Sequence, residues 1–136
     1  MTDKLNHTVK AIIYSKGKIL LQLRDQKPDI FYPGLWGLFG GNVDKSENPI
    51  NALKRELEEE IKFRPQKVKL LFSWNHYKYN SVLHFFLVPL TIDFEDLCLN
   101  EGQSMNLFSI EQISKLEITP SLEKNLHKID PKLLYN

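Results

Sequence analysis

Gly41-Asn42-Val43-Asp44-Lys45-Ser46-Glu47-Asn48-Pro49-Ile50-Asn51-Ala52-Leu53-Lys54-Arg55-Glu56-Leu57-Glu58-Glu59-Glu60-Ile61-Lys62-Phe63 is the stretch on which the reading of this chain turns. Its second half has the pattern of an amphipathic helix. Asn48 is a good N-cap, because its side chain accepts from an amide the helix leaves unpaired, and Pro49 suits the first helical position, where no amide is needed. Ile50, Leu53, Leu57 and Ile61 recur at spacings of three and four and so form one apolar stripe. Pro65 restricts Arg64 to extended torsions, so the helix is predicted to end near Phe63. Ahead of the helix stand two adjacent glycines, Gly40-Gly41, which read as a turn whose backbone can come close to a ligand.

The same helix is crowded with acid. Glu56, Glu59 and Glu60 stand at i, i+3 and i+4 and therefore share a face. Glu60 falls beside the apolar stripe and Glu59 further round, which puts the cluster at the rim of the buried face, near the glycines. Three carboxylates within one turn repel one another, and a divalent cation converts that repulsion into coordination. Mg²⁺ favours such a partner set: a few carboxylates, waters and phosphate oxygens. A solvated acidic face is the plain alternative for any charge run. The spacing argues against it. Gly41, five residues, Glu47, seven residues, then Arg55-Glu56 with Glu59 and Glu60, occurs by chance in well under about one in 10⁵ chains of this size at ordinary residue usage.

Outward from this segment the chain reads as one α/β domain over residues 1–136. Its 136 residues are 42% hydrophobic, enough for a core. The formal net charge of +1 gives no overall field that would gather nucleic acid. The single cysteine, Cys98, excludes an intrachain disulfide and fits a reducing compartment. The polar start, Met1 to His7, lacks the apolar run of a leader, and no stretch nears the ~18 apolar residues of a membrane span, so a cytoplasmic setting is expected. Val9–Tyr14 and Ile19–Leu23 form a hairpin around Ser15-Lys16-Gly17-Lys18. Asp25–Gly34 is a loop, Trp36–Phe39 a short extended piece, Val68–Asn75 and Ser81–Val88 two further strands, and Asp93–Gln103 an acidic loop. Met105–Phe108 is a last strand, Ser109-x-x-Gln112 a capping box, and Thr119-Pro120 the start of a helix carrying Leu122, Leu126 and Ile129. The expected order is β-β-β-α-β-β-β-α-α.

The acidic segment resembles the Nudix box: Gly, five residues, Glu, seven residues, Arg-Glu-aliphatic-x-Glu-Glu-x-Gly-aliphatic. One position departs, with Lys62 where the family usually has Gly. Leu20-Leu21-Gln22-Leu23-Arg24 and Pro33-Gly34-Leu35-Trp36-Gly37-Leu38-Phe39-Gly40-Gly41 resemble the strand and approach of many members. Asn100-Glu101-Gly102-Gln103 resembles the loop that brings a further glutamate to the metal in MutT-type members. Roughly residues 8 to 129 follow the family's layout.

The resemblance implies a Nudix fold, a mixed sheet in an α/β/α sandwich, and a hydrolase that uses Mg²⁺ or Mn²⁺ to cleave a pyrophosphate bond in a nucleoside diphosphate derivative. It implies that Glu56, Glu59, Glu60, Glu101 and the Gly40 carbonyl ligate the metal. Glu56 stands close to the attacking water, Glu101 serves as ligand or general base, and Arg55 orients the glutamates through an ion pair with Glu47 or Glu56. Glu47 and Gly41 support the site, Glu58 faces solvent, and Asp44 has no assigned role.

Arg24, Trp36 and Tyr79 are candidate substrate contacts, weighed against a surface arginine, core packing and an ordinary rim aromatic. Phe31, Tyr32, Trp74 and Tyr77 are further cleft candidates. His76 and His84 read as packed strand residues, and Cys98 as an inert thiol. The expected partner is a small-molecule nucleotide, with no nucleic acid and no membrane; a homodimer is allowed but not specified. Nucleotide sugars, nucleoside triphosphates and dinucleoside polyphosphates remain open as substrates. By resemblance to family members with a tyrosine at that distance past the box, Tyr79 points toward the last of these. MutT-type members read oxidised guanine partly with an Asn in the loop before the last helix, so by that resemblance the absence of Asn in Ile118–Leu122 points away from an oxidised-guanine specialist. Two rivals share the fold: a non-catalytic nucleotide-binding or regulatory module, and an isomerase acting on an allylic diphosphate.

Overall fold

The structure is a computed structural model that describes residues 5–135; Met1 to Lys4, part of the polar start, lie outside them. Seven strands form one mixed sheet among the described residues, ordered β3-β2-β1-β6-β5, with β4 paired to β1 and β7 to β2. The strands are β1 (Asn6–Ser15), β2 (Lys18–Leu23), β3 (Trp36–Gly37), β4 (Phe39–Asn42), β5 (Lys69–His76), β6 (Ser81–Pro89) and β7 (Ser104–Phe108). The helices are α1 (Pro49–Ile61), α2 (Ile110–Ile113) and α3 (Pro120–Asn125). Strand β1 is the spine. It runs parallel to β6 along its length, while its first half pairs with β4 and its last two residues pair with β2. The sheet therefore parts between β4 and β2.

The two faces of the sheet carry separate apolar clusters, as alternation along a strand requires. Val9, Ala11 and Ile13 pack with Ala52, Leu53, Leu57 and Ile61 of α1. Ile12 packs on the other side with Leu21, Leu83, Phe85, Leu122 and Ile129. This is the expected α/β/α arrangement, with α1 on one face and the C-terminal elements on the other.

The sequence-derived elements need four corrections. The piece expected at Trp36–Phe39 is two strands, because Trp36 and Gly37 pair with β2 while Phe39 onward pairs with β1. Gly40-Gly41 is not a turn but the middle of β4, opposite Lys10 and Val9. On the apolar stripe, Ala52 takes the buried place expected of Ile50, which stays 43% exposed. The last helix stops at Asn125, and Leu126–Lys128 tighten into a 3₁₀ turn. Ile129 is buried beyond it.

The start of α1 is as expected: the Asn48 side chain accepts from the Asn51 amide at 2.8 Å. Its end is earlier. Ile61 is the last helical residue and Lys62 takes left-handed torsions, φ 53 and ψ 40. The Lys62 amide donates to Glu58 O and the Phe63 amide to Leu57 O, closing the helix. This accounts for the family's glycine at the position: a left-handed cap suits a residue without Cβ, and a lysine there is strained by roughly 1 kcal/mol. Lys62→Gly is therefore expected to stabilise the protein by about 1 kcal/mol in denaturant melts. An unchanged or lowered midpoint would show that the cap is not strained.

Candidate metal and phosphate site

Strand β4 and helix α1 build the site by an unusually close approach. Gly40 has φ +152, and a Cβ there would strike the Val9 carbonyl, so only glycine is accommodated. The Gly40 amide donates to Glu60 Oε1 at 3.1 Å. At Gly41 the place of a Cβ is taken by the Glu56 carboxylate. The helix thus lays two carboxyls against bare backbone.

Arg55 ties the acids together. Its Nε and Nη2 donate to the two oxygens of Glu47, at 2.7 and 2.9 Å, as a fork. Nη1 donates to Glu56 Oε1 at 3.0 Å and to Glu59 Oε2 at 3.5 Å, and Nη2 also to the Asn42 carbonyl at 3.1 Å. Arg55 therefore pairs with both of the acids weighed for it. Asp44 joins too, 3.7 Å from Nη2, and its amide donates to Glu47 Oε1. The Arg55 fork and the Asp44 amide hold Glu47 below the ordinary carboxylate range. Glu58 turns away to pair with Arg64.

The acidic loop closes the site from the other side. The amides of Cys98 and Asn100 donate to the carbonyls of Ile61 and Glu60, and the Asn100 side chain donates to the Glu59 carbonyl. These bonds satisfy carbonyls that the end of α1 leaves free. Glu101 follows directly, its own carbonyl accepting from Gln22 Nε2 at 2.8 Å. The charge of Glu101 is felt at both Glu56 and Glu60. A hollow of about 230 Å³ beside Glu101 is lined by Gln22, Arg24, Lys27 and Asn100. A larger one, about 630 Å³, lies by the β1–β2 turn, lined by Lys16, Phe94 and Tyr135 and by none of the clustered carboxylates. Size does not locate the chemistry here.

Burial raises the pKa of Glu56, with the charges of Glu59 and Glu101 adding to it against the opposing Arg55. Burial, then Glu56 and Glu101, push Glu60 up to about 9. Both shifts record first that the carboxyls are drawn out of water, and second that neighbouring acids add negative charge which Arg55 and Lys10 offset only in part. The donors are hard oxygens, and a side-chain-free strand gives access to the Gly40 carbonyl. That set fits a hard divalent cation, which Glu56, Glu60, Glu59, Glu101 and the Gly40 carbonyl would hold. Among the described residues no three acids stand together as a ready-made cage. The set therefore suits an ion that shares its shell with water and phosphate rather than one wrapped by protein.

The other candidates are dispersed. Trp36 packs edge-on against Phe108, ring centres 4.9 Å apart, beside the second cluster. Tyr79 belongs to an aromatic group with Tyr32, Phe31 and His76. Arg24 donates from Nε to the Phe31 carbonyl at 2.8 Å and borders the hollow by Glu101. His84 bonds His7 and Ser73.

Two site residues escaped the sequence reading. Gln22, 4% exposed, anchors the Glu101 loop. Lys10, on β1 opposite Gly40, lies in the field of Glu60, Glu56 and Arg24. Burial, then Arg24, lowers its pKa, and the two glutamates oppose that. The available signal was a lysine inside the apolar run Val9–Ile13.

Residues 4–129 match the NUDIX domain family, and the chain belongs to it. It is 45% identical over 58 residues to the CTP pyrophosphohydrolase of Escherichia coli, a match covering 43% of this chain and 42% of that protein. It is 31% identical over 85 residues to the 8-oxo-dGTP diphosphatase of Buchnera aphidicola, covering 62% and 64%. The chain thus spans less than two thirds of the length of either relative. The MutT NUDIX hydrolase from Burkholderia pseudomallei superposes with TM-score 0.79 at 24% identity, covering 94% of this chain and 100% of that one. The family and the fold expected from the box are both borne out. Members generally work with a divalent cation.

The sign of the carboxyl shifts gives a pH dependence for the protein without divalent cation. The folded pKa of Glu60, about 9, lies above its ordinary 4.5. Its stabilising contribution is complete below 4.5 and is lost as pH rises toward 9. The thermal midpoint of the wild type should therefore fall relative to that of Glu60→Gln between pH 5 and 9, and added Mg²⁺ should narrow the gap. Parallel melting curves would show that Glu60 is not held protonated.

Proposed function

We propose that this protein is a Mg²⁺-dependent hydrolase that cleaves a pyrophosphate bond in a nucleoside diphosphate derivative, with nucleoside triphosphates as the favoured substrates. The observation that carries this reading is the pair of carboxyls, Glu56 and Glu60, pressed against Gly40-Gly41 by α1 and short of positive charge. The names of the two relatives support the choice of nucleotide, since both denote removal of diphosphate from a nucleotide. Nucleotide sugars and dinucleoside polyphosphates are further arms of the test.

The roles follow from the residues. Mg²⁺ would polarise the phosphoryl oxygens and acidify water. Glu56 is the hub, held by Arg55 and electrostatically linked to Glu59, Glu60 and Glu101. Gly40 and Glu60 complete its side of the site. Glu101, on the far side and carried by the Gln22-anchored loop, takes the proton from the attacking water. Arg55 touches no substrate; it holds Glu47, Glu56 and Glu59 in place. The rival non-catalytic module is disfavoured because each glutamate of the box is retained. Cys98 bonds Asn100 on the loop, without the base that an isomerase thiol requires.

The test is release of pyrophosphate or nucleotide from a panel of nucleoside triphosphates, 8-oxo-dGTP, nucleotide sugars and dinucleoside polyphosphates, with and without Mg²⁺. Turnover of at least one compound is expected, dependent on Mg²⁺ and reduced ~10²-fold or more in Glu56→Gln. Folded protein that turns over none of them with Mg²⁺ or Mn²⁺, or a fully active Glu56→Gln, would defeat the reading.

A further inference from the structure

Arg55 is the obvious cation at the site, yet it has nothing left to offer a substrate. A guanidinium carries five N–H donors. All are engaged here, by Glu47 twice, Glu56, Glu59 and the Asn42 carbonyl. A polyphosphate brought to Glu56, Glu59, Glu60 and Glu101 meets repulsion that a divalent cation offsets only in part. It needs donors of positive charge from elsewhere in the protein.

Two cations stand in that position. Arg24 uses Nε for the Phe31 carbonyl, and among the described residues its terminal nitrogens make no hydrogen bond. The Lys10 ammonium has neither a hydrogen bond nor an ion pair among the described residues, although Glu60, Glu56 and Arg24 all act on its charge. It is half-buried on a strand whose next residues, Ala11, Ile12 and Ile13, are wholly buried. Withdrawing an ammonium from water without a bonded partner is unfavourable, so a lysine at this place is a poor choice for stability alone. By strand alternation Lys10 belongs to the face of Ile12, opposite α1, yet it registers with Gly40. Gly40 in turn gives its amide to Glu60, so this register sets Lys10 next to the carboxylate cluster. A compact, mobile point charge suits phosphate oxygens that shift during reaction, where a fixed fork does not.

We propose that Lys10 contacts the substrate directly, its ammonium binding a non-bridging oxygen of the phosphate lodged between the Glu56–Glu60 carboxyls and Arg24. This rests on the hydrolase reading above and adds a residue that lies outside the box. Lys10 then serves two ends: it offsets repulsion between the acids and the incoming anion, and it stabilises charge that develops on the phosphoryl oxygens.

The test uses imidodiphosphate, a diphosphate analogue with a nitrogen bridge, titrated calorimetrically into the full chain with Mg²⁺ present. Wild type is compared with Lys10→Met and Lys10→Arg, alongside Mg²⁺ titration alone, thermal melts and steady-state kinetics. Lys10→Met is expected to bind imidodiphosphate at least tenfold more weakly while its Mg²⁺ affinity is unchanged or tighter. Its kcat/KM should fall by ~10²-fold, and Lys10→Arg should recover part of both losses. Lys10→Gln serves if the methionine variant does not fold. Wild-type imidodiphosphate affinity in Lys10→Met overturns the inference. So does a loss that follows a matching fall in Mg²⁺ affinity and melting temperature, since that marks a structural lysine. A wild type that binds imidodiphosphate through Lys10 but turns over no nucleotide upholds the inference and defeats only the hydrolase reading. A wild type that turns nucleotides over as fast as Lys10→Met does the reverse.

Discussion

The site exists because α1 can lie against a strand that has no side chains at two consecutive positions. Gly40 gives its amide to Glu60, and the bare Cα of Gly41 leaves room for the Glu56 carboxylate. Two acids are thereby drawn out of water, a placement that burial alone would resist. The apolar side of the same helix holds them there. Leu53, Leu57 and Ile61 are fully buried against Val9, Ala11 and Ile13, and each contributes roughly 1.5–3 kcal/mol by its burial. Packing on one side of the helix thus sustains electrostatic strain on the other, and a divalent cation would relieve it.

Around that contact the charged groups divide their work. Arg55 spends every donor on the protein and fixes Glu47, Glu56 and Glu59 relative to the end of β4. The Cys98–Gln103 loop does the corresponding task at the other end of the helix, where Asn100 caps carbonyls of α1 and Gln22 fastens Glu101. The side chains of Lys10 and Arg24 keep donors in reserve, and Arg24 borders the hollow by Glu101. In the proposed arrangement the acids would face the cation, and the reserved donors whatever the cation brings with it.

Much of this was legible in the sequence, because helical spacing turns directly into shared faces. The N-cap at Asn48, the stripe through Leu53, Leu57 and Ile61 and the capping box at Ser109 follow from local rules, and the partners of Arg55 from the resemblance to the box. The misreadings were tertiary. Gly40-Gly41 looks like a turn by composition, and only pairing with β1 makes it a strand. Ile50 fits the stripe by angle but lies at the helix start, where it remains exposed. Lys62 looked like a departure from the family's pattern, and its left-handed torsions show why glycine is usual there. Lys10 was hidden because a strand lysine carries no motif, and its neighbours in space come from β4, α1 and the end of β2.

The central claim is that Glu60 is held protonated near neutral pH until a divalent cation claims its oxygen. Calorimetric titration of Mg²⁺ at pH 7, repeated in buffers of different ionisation enthalpy, counts the protons released on binding. With the Glu60 pKa near 9, about one proton should leave for each protein that binds, and none should leave Glu60→Gln. Mg²⁺ binding by the wild type without proton release would contradict the account.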